Sequence, residues 1–200
     1  MKGQIRTALS ERGNLMDNGA SSYRRFLEGD DRGLVDLIEE YRLPLQMFLY
    51  SYTGNNETAE DAAIETFVKL ATRKPKYSGR ASFKTWLFRI GRNTAADMLR
   101  KAKQHETANL EDAENTADDK EHSPEELYIK DECNRQLLAS MKKLKSDYYE
   151  VLWLKYFENL QVKEIAVIMR KNEGNTKVLL GRAREALKTQ LGKDGFDYED

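Results

Sequence analysis

The sequence has few of the residues that build disulfides and metal centres. Its 200 residues include one cysteine and two histidines. The single cysteine, Cys133, excludes an internal disulfide, and together with His105 and His122 it makes no usual zinc ligand set. We therefore expect neither a bound metal nor a cofactor.

Long apolar runs are also missing. No stretch approaches the ~20 apolar residues that cross a bilayer. The first residues, MKGQIRTALSERGNLMDNGASS, lack the apolar centre of a signal peptide. These two absences predict a cytoplasmic protein without membrane insertion.

Alternation of apolar and polar residues with a period of two does not occur, which argues against strands. The chain is 40% hydrophobic and 34% charged, with both kinds interspersed. This pattern predicts an all-α protein with two small helical domains joined by an acidic flexible linker. The expected segments are a mobile arm at 1–21, a first domain at 22–104, the linker at 105–122, a second domain at 123–191 and an acidic tail at 192–200.

The net charge of −1 hides two oppositely charged blocks. Residues 69–103 contain eleven lysines and arginines against one acid, and residues 105–132 contain eleven acids against two lysines. The acidic block has few apolar residues, which predicts a linker instead of a packed element. Such segregation indicates separate roles for the two blocks.

The stretch SFKTWLFRIGRNTAADMLRKAKQ, residues 82–104, predicts one long helix capped by Ser82. Its apolar face comprises Phe83, Leu87, Ile90, Thr94 and Met98. On the far side lies a basic stripe (Arg89, Arg92, Arg100 and Lys103) edged by Trp86, Asn93 and Asp97. Arginines hold phosphates, an amide pairs with a base edge and an indole stacks on an unpaired base, so this face suits nucleic acid. On charge alone, a solvated face fits equally well.

Two elements precede this helix. The basic loop RKPKYSGR, residues 73–80, extends the same cationic surface. Before the loop, Asn56 is expected to cap a helix with a buried face of Ala63, Ile64, Phe67, Val68 and Ala71. The helix that precedes Asn56 is expected to be interrupted at Pro44. Asp61 and Glu65 lie outside the apolar face, four residues apart. With no third carboxylate or histidine nearby, we favour a docking surface over a metal or acid–base site.

The last part of the chain predicts a helix-turn-helix. Ser123 and Pro124 start a helix that runs to about Leu144, and Ser146 starts the next. A short helix around 162–169, a break at Lys171 and Asn172 and a long helix over 173–191 follow. The outward sector of the long helix contains Lys177, Val178, Gly181, Arg184 and Lys188, while Thr176, Leu180, Ala183 and Leu187 face inward.

These strings resemble the extracytoplasmic-function (ECF) sigma factors of bacterial RNA polymerase. EDAAIETFVKLATRK (residues 60–74) and FKTWLFRIGRNTAADMLRK (83–101) are similar to the second conserved region of that family. YYEVLWLKYFENLQVKEIAVIM (148–169) and GNTKVLLGRAREAL (174–187) are similar to its fourth region. Two such segments in this order are specific to the family.

The resemblance implies a subunit that binds core RNA polymerase, through its β′ and β subunits, and promoter DNA, both duplex and melted. An anti-sigma factor is a further expected partner, and no catalytic residue is expected. Implied core-binding residues are Asp61, Glu65 and Phe67. Minus-ten recognition and melting are assigned to Lys76, Tyr77, Arg80, Trp86, Phe88, Arg89, Arg92, Asn93, Asp97 and Arg100. Minus-35 recognition is assigned to Lys177, Val178, Gly181, Arg182, Arg184 and Lys188.

Three positions depart from the family pattern. Glutamine is usual where Ile64 stands, and serine and arginine are typical where Val178 and Leu179 stand, so the minus-35 sequence does not follow by analogy. The alternative function is a helix-turn-helix regulator that binds duplex DNA without polymerase. The basic loop and the aromatic-edged helix favour the sigma factor, because such a regulator has no use for a single-strand surface.

Overall fold

A computed structural model describes residues 18–108 and 132–195. Within these two ranges all regular secondary structure is helical, which confirms the all-α prediction. Residues 1–17, 109–131 and 196–200 lie outside the described ranges. The expected arm, most of the linker, the Ser123 cap and the end of the acidic tail fall there.

Four helices form the first half: α1 (Asn18–Leu27), α2 (Arg32–Thr53), α3 (Asn56–Arg73) and α4 (Phe83–Ala108). Helix α1 starts inside the segment expected to be a mobile arm, because Tyr23 and Phe26 are buried and hold it on the other helices. Helix α4 extends four residues into the predicted linker, to Ala108. In both places a helix therefore continues into the neighbouring predicted segment.

Helix α2 passes through Pro44 without a break, contrary to prediction. A proline inside a helix costs ~3 kcal/mol through its missing N–H and its clash with the preceding turn. Tyr41 and Leu45 are buried on either side of Pro44. Core packing of these neighbours outweighs the local preference of the proline.

Helix α3 begins one residue earlier than predicted, and its buried face is turned about the helix axis relative to the predicted face. The side chain of Asn55, not Asn56, caps it by accepting a hydrogen bond from the backbone nitrogen of Thr58 at 2.8 Å. The buried residues of this helix are Ala59, Ala62, Ala63, Thr66, Phe67 and Leu70. Ile64 and Val68, predicted to be buried, are 48% and 44% exposed.

The second half contains α5 (Glu132–Lys142), α6 (Ser146–Leu152), α7 (Val162–Met169) and α8 (Glu173–Lys193). Helix α6 continues into a π-helical turn, Trp153–Phe157. Between α7 and α8, Arg170 adopts a left-handed conformation and the side chain of Asn172 caps α8 through the nitrogen of Asn175 at 2.7 Å. The predicted helix-turn-helix is confirmed.

Asp194 is predicted to belong to the acidic tail. In the structure it links the end of α8 to the end of α5 through hydrogen bonds. Its carboxylate accepts hydrogen bonds from Ser140 and Lys143, each at 2.6 Å. Lys143 and Ser140 together hold the pKa of Asp194 at about 2. The folded domain therefore extends beyond its predicted end at residue 191.

The two halves contact each other. Helix α4 packs against α7, and α2 packs against α6. Each described helix is too short or too polar to cross a bilayer.

We expect Gly33→Ala to destabilise the protein. Alanine at Gly33 would place Cβ 2.7 Å from the backbone nitrogen of Phe26 and in collision with the carbonyl oxygen of Ser22. These are backbone atoms of α1, so the helix itself must move to make room. The free energy of unfolding, measured by urea denaturation, should fall by ~1–3 kcal/mol.

Gly181→Ala is the matched control for this substitution. Around Gly181, no atom lies within 4 Å of the added Cβ. Alanine there should raise the free energy of unfolding by up to ~1 kcal/mol, through helix propensity alone. Equal effects of the two substitutions would show that α1 does not pack closely on α2.

Candidate nucleic-acid interface

Helix α4 starts where the sequence predicts. Ser82 caps it by accepting a hydrogen bond from the backbone nitrogen of Thr85 at 3.2 Å. Of the predicted apolar face, Phe83, Leu87 and Thr94 are buried, whereas Ile90 and Met98 are partly buried. This face is held by the first half, and part of the remaining surface of α4 packs against α7 of the second half.

Trp86 and Phe88 are core residues in this structure, although they are predicted to lie near the separating DNA strands. Trp86 is 7% exposed and Phe88 fully buried. The Trp86 ring lies 5.3 Å from the ring of Tyr23 and 5.2 Å from that of Tyr77, and Phe88 stacks on Phe48 at 5.2 Å. Helical periodicity predicts that Trp86 lies at the edge of the basic stripe. In the structure, aromatic residues from outside α4 cover that edge.

The aromatic cluster around Trp86 positions the basic loop. Tyr77 is partly buried and donates a hydrogen bond to the carbonyl oxygen of Ala81 at 2.6 Å. Tyr23 donates to the carbonyl oxygen of Pro75 at 2.8 Å, and burial raises its pKa to about 12, so it stays a donor. Lys76 and Arg80 are exposed on this anchored loop.

The predicted basic stripe divides into two parts. Arg89 and Arg100 are exposed, and Arg100 pairs with Asp97 at 2.9 Å. Asn93 and Asp97 are partly buried beside them. We call Arg89, Asn93, Asp97 and Arg100 the exposed basic sector.

Arg92, in contrast, points into the contact between the halves. It forms a two-pronged ion pair with Glu150, with Nε–Oε1 at 2.5 Å and Nη2–Oε2 at 3.2 Å. Its guanidinium also lies 4.7 Å from the centre of the Tyr52 ring. In this arrangement Arg92, which is predicted to contact DNA, is covered by the second half.

Helix α8 presents its predicted outward face to solvent. The exposed residues are Lys177, Val178, Gly181, Arg182, Arg184 and Lys188. Thr176, Leu180 and Ala183 are buried, and Leu187 is partly buried. The periodicity of this helix therefore located both faces correctly.

Tyr156 is a candidate interface residue that the sequence analysis missed. Its hydroxyl accepts a hydrogen bond from Nε of Arg184 at 2.7 Å, and its ring remains 46% exposed. The bond fixes the Arg184 guanidinium on the outward side of α8. The π-helical turn that places Tyr156 there has no signal in the sequence, and 28 positions separate the two residues.

The exposed face of α3 combines acidic and apolar side chains. Asp61 is exposed, and Glu65 lies 3.9 Å from Lys69, whose Nζ donates to Thr94 at 2.9 Å. Ile64 and Val68 lie on the same exposed side, and we call Asp61, Ile64, Glu65 and Val68 the α3 face. Phe67, the third residue predicted to contact the polymerase, is only 6% exposed. In residues 18–108 and 132–195, no three carboxylate, imidazole or thiol groups are arranged to hold a metal.

Two family models match the two halves. Sigma-70 region 2 matches residues 37–105, which include α3, the basic loop and most of α4. Sigma-70, region 4 matches residues 134–187, which include the helix-turn-helix.

Curated relatives match across both halves. The ECF RNA polymerase sigma factor SigW of Bacillus subtilis is 30% identical over 173 residues, covering 82% of this chain and 91% of the relative. SigM of the same organism is 31% identical over 153 residues, covering 76% and 91%. BldN of Streptomyces coelicolor is 30% identical over 187 residues, covering 89% and 69%.

Two solved structures share the fold. CnrH in complex with the cytosolic domain of CnrY has a TM-score of 0.58 at 21% identity, covering 88% of this chain and 96% of CnrH. RpoE of Bartonella quintana, in complex with the anti-sigma factor NepR, has the same TM-score and identity, covering 78% and 97%. With two matched regions and relatives at least 30% identical that are covered over 69–91% of their own length, this chain belongs to the ECF family of RNA polymerase sigma factors.

Proposed function

We propose that this sigma factor binds core RNA polymerase through the α3 face and reads promoter DNA with α4 and α8. The observation that carries the proposal is the placement of two cationic surfaces on separate halves of one chain. A chain with this layout can contact two separated DNA elements. A helix-turn-helix regulator needs only one such cationic surface. The site of action is then the cytoplasm, where the polymerase works.

The exposed basic sector and the basic loop are assigned to the minus-ten element. Arg89, Arg100, Lys76 and Arg80 bind phosphates, and the Asn93 amide supplies a donor and an acceptor for a base edge. The buried rings of Trp86 and Tyr77 act as positioning residues, since they hold the loop beside the first turns of α4. Strand separation is then stabilised by cations and amides on a rigid support.

Helix α8 is assigned to the minus-35 element in the major groove. Lys177 lies in its first turns, the part that enters the groove in helix-turn-helix proteins. Val178 is 53% exposed and can offer only apolar contact, for instance to a thymine methyl group. Gly181 leaves open space, which allows close approach of the DNA backbone.

The α3 face is assigned to core polymerase. Ile64 and Val68 add an apolar strip beside Asp61 and Glu65, and apolar area bordered by charged side chains is typical of protein interfaces. A partner surface with an apolar strip and flanking cations would fit it. By resemblance to the family, we propose that this partner surface lies on the β′ subunit, with the β subunit as a further contact.

An anti-sigma factor is a further proposed partner. Bartonella quintana RpoE, which shares the fold, was solved with the anti-sigma factor NepR. The α3 face and the outward face of α8 are open to solvent, so a protein inhibitor could cover either of them.

Run-off transcription tests the proposed function. The purified protein with core polymerase should initiate at defined sites on fragments of the source genome, and core polymerase alone should not. In gel shifts, the free protein should bind these promoters weakly, because specific binding needs both halves held at a fixed spacing. Tight specific binding without core polymerase would favour the regulator.

Asp61→Ala combined with Glu65→Ala should weaken binding to core polymerase about tenfold, or ~1.4 kcal/mol. Both side chains lie off the buried face of α3, so helicity should not change. Competition against a labelled sigma factor for core polymerase measures the affinity. Glu39→Ala with Glu40→Ala, an exposed pair on α2, is the matched control, and equal losses in both variants would move the docking site away from α3.

Lys177→Ala should cost ~1–3 kcal/mol at promoters that depend on the minus-35 element and relax the preference at one base position. The reason is the loss of a hydrogen-bond donor at the start of α8. A minus-35 library transcribed with the variant measures the preference. Lys145→Ala, at an exposed position before α6, removes the same charge as a control. An unchanged preference with Lys177→Ala would show that this part of α8 does not read bases.

A further inference from the structure

Arg184 differs from the other exposed cations of α8 because its side chain is held in one orientation. Its Nε donates a hydrogen bond to the Tyr156 hydroxyl at 2.7 Å, and its guanidinium carbon lies 5.8 Å from the centre of the Tyr156 ring. Within residues 18–108 and 132–195, the side chains of Lys177, Arg182 and Lys188 make no hydrogen bond or ion pair. Arg184 is therefore preorganised in a way that its neighbours are not.

The turn that carries Tyr156 is a rigid support. Tyr156 lies in the π-helical turn Trp153–Phe157, where the fully buried ring of Trp153 stacks on Phe157 at 4.4 Å. Nε1 of Trp153 also donates to the buried carboxylate of Glu158 at 3.2 Å. The ring of Tyr156 itself stays 46% exposed. The core of the second half thus fixes one hydroxyl group at the surface beside α8.

The tyrosine orients Arg184 without neutralising it, because its hydroxyl carries no charge. In the part of the chain that the structure describes, no carboxylate lies within ion-pair distance of the Arg184 guanidinium. Arg92 and Arg100 differ in this respect, since they pair with Glu150 and Asp97. The positive charge of Arg184 and its outer nitrogens, Nη1 and Nη2, therefore remain available to an anion.

The Tyr156 hydroxyl also keeps a donor of its own. Its oxygen accepts the bond from Arg184, so its O–H can donate to another acceptor. Among the described residues this hydroxyl has no second hydrogen-bond partner. The O–H and the Nη groups together place several donors around one positive charge. Such a set suits the oxygens of a phosphate, which arginine binds with two parallel hydrogen bonds.

The position of Arg184 along α8 favours the DNA backbone over a base edge. Arg184 lies seven residues after Lys177, which is ~10 Å along the helix axis. The first turns of a recognition helix enter the major groove, and phosphate contacts around the groove fix the orientation of the protein. The ligand that fits Arg184 and Tyr156 is therefore a backbone phosphate at the edge of the groove.

We propose that Tyr156 and Arg184 form a phosphate clamp, which binds one backbone phosphate beside the minus-35 element. Arg184 supplies the charge and paired donors. Tyr156 is a positioning residue that holds the guanidinium and adds its own hydroxyl donor. The clamp sets the angle of α8 in the groove and reads no base. This proposal rests on the assignment of α8 to the minus-35 element made above.

Tyr156→Phe tests the clamp, because phenylalanine keeps the ring and removes the hydroxyl. Holoenzyme that contains this variant should bind a promoter that depends on the minus-35 element about fivefold more weakly than wild type. Arg184→Ala should weaken binding about tenfold. The double variant should lose little more than Arg184→Ala alone, since both changes remove one contact. Anisotropy of a labelled promoter duplex measures these affinities.

Two matched controls accompany these variants. Tyr148→Phe removes the hydroxyl of a partly buried tyrosine on α6 that makes no side-chain hydrogen bond to the described residues. Lys145→Ala removes one exposed positive charge near the start of α6. Neither control should change the affinity for the promoter by more than about twofold, which is less than the loss of one hydrogen bond to a charged group.

Salt dependence and a neutral phosphate separate the clamp from a purely structural role of Tyr156. Arg184→Ala should reduce the slope of log K against log salt by ~1, whereas Tyr156→Phe keeps the charge and should leave the slope unchanged. A single uncharged methylphosphonate, moved along the minus-35 region, should weaken binding of wild type at the clamped phosphate. At that position it should have almost no effect on Arg184→Ala and a reduced effect on Tyr156→Phe.

Equal affinities of Tyr156→Phe and Tyr148→Phe would overturn the clamp, and so would additive losses in the double variant. Circular dichroism checks that the variants remain helical. If Tyr156→Phe fails to fold, Arg184→Ala decides through the methylphosphonate scan, where a loss at every position equal to that of wild type would refute the phosphate contact. A changed base preference in Lys177→Ala without these effects would leave the proposed function intact. Wild-type transcription that never depends on a minus-35 element would overturn both proposals.

Discussion

Helix α4 is packed from two sides, and this double burial is the constraint on which the rest of the structure depends. Phe83 and Leu87 are held in the core, while Thr85 and Arg92 bind carboxylates of the second half. From residue 83 to residue 98 only a narrow sector of the helix is open to solvent, and residues 99–104 beyond it are exposed. Because these side chains are carried on one rigid helix, the cations and the amide keep a constant spacing, as the proposed binding of a nucleic-acid strand requires.

The aromatic residues next to the proposed nucleic-acid interface pack inside the protein. Rings placed next to arginines in a sequence suggest stacking on bases, but the rings of Trp86 and Tyr77 lie 5.2 Å apart and pack together. Aromatic pairs in such contact add ~0.5–1.5 kcal/mol beyond the area that they bury. In the proposed function their effect is indirect, since they hold the loop that carries Lys76 and Arg80.

Much of the site could be predicted because its signals are local. Ser82 caps α4 and Asn172 caps α8, and the outward face of α8 follows its periodicity. The errors occur where neighbours distant in sequence decide. Arg92 and its partner Glu150 are 58 positions apart. The periodicity of a single helix therefore could not show that this arginine is covered.

The sequence by itself determined the helical class, the two family regions, the turn of the helix-turn-helix and the exposed lysines and arginines of α8. These depend on caps, turns and apolar periodicity, which act over a few residues. Tertiary structure alone decided that α2 continues through Pro44, that Ile64 is exposed and that Trp86 and Phe88 are buried. Each of these outcomes depends on which other helix packs there, because burial is a property of the assembled core and not of a single helix.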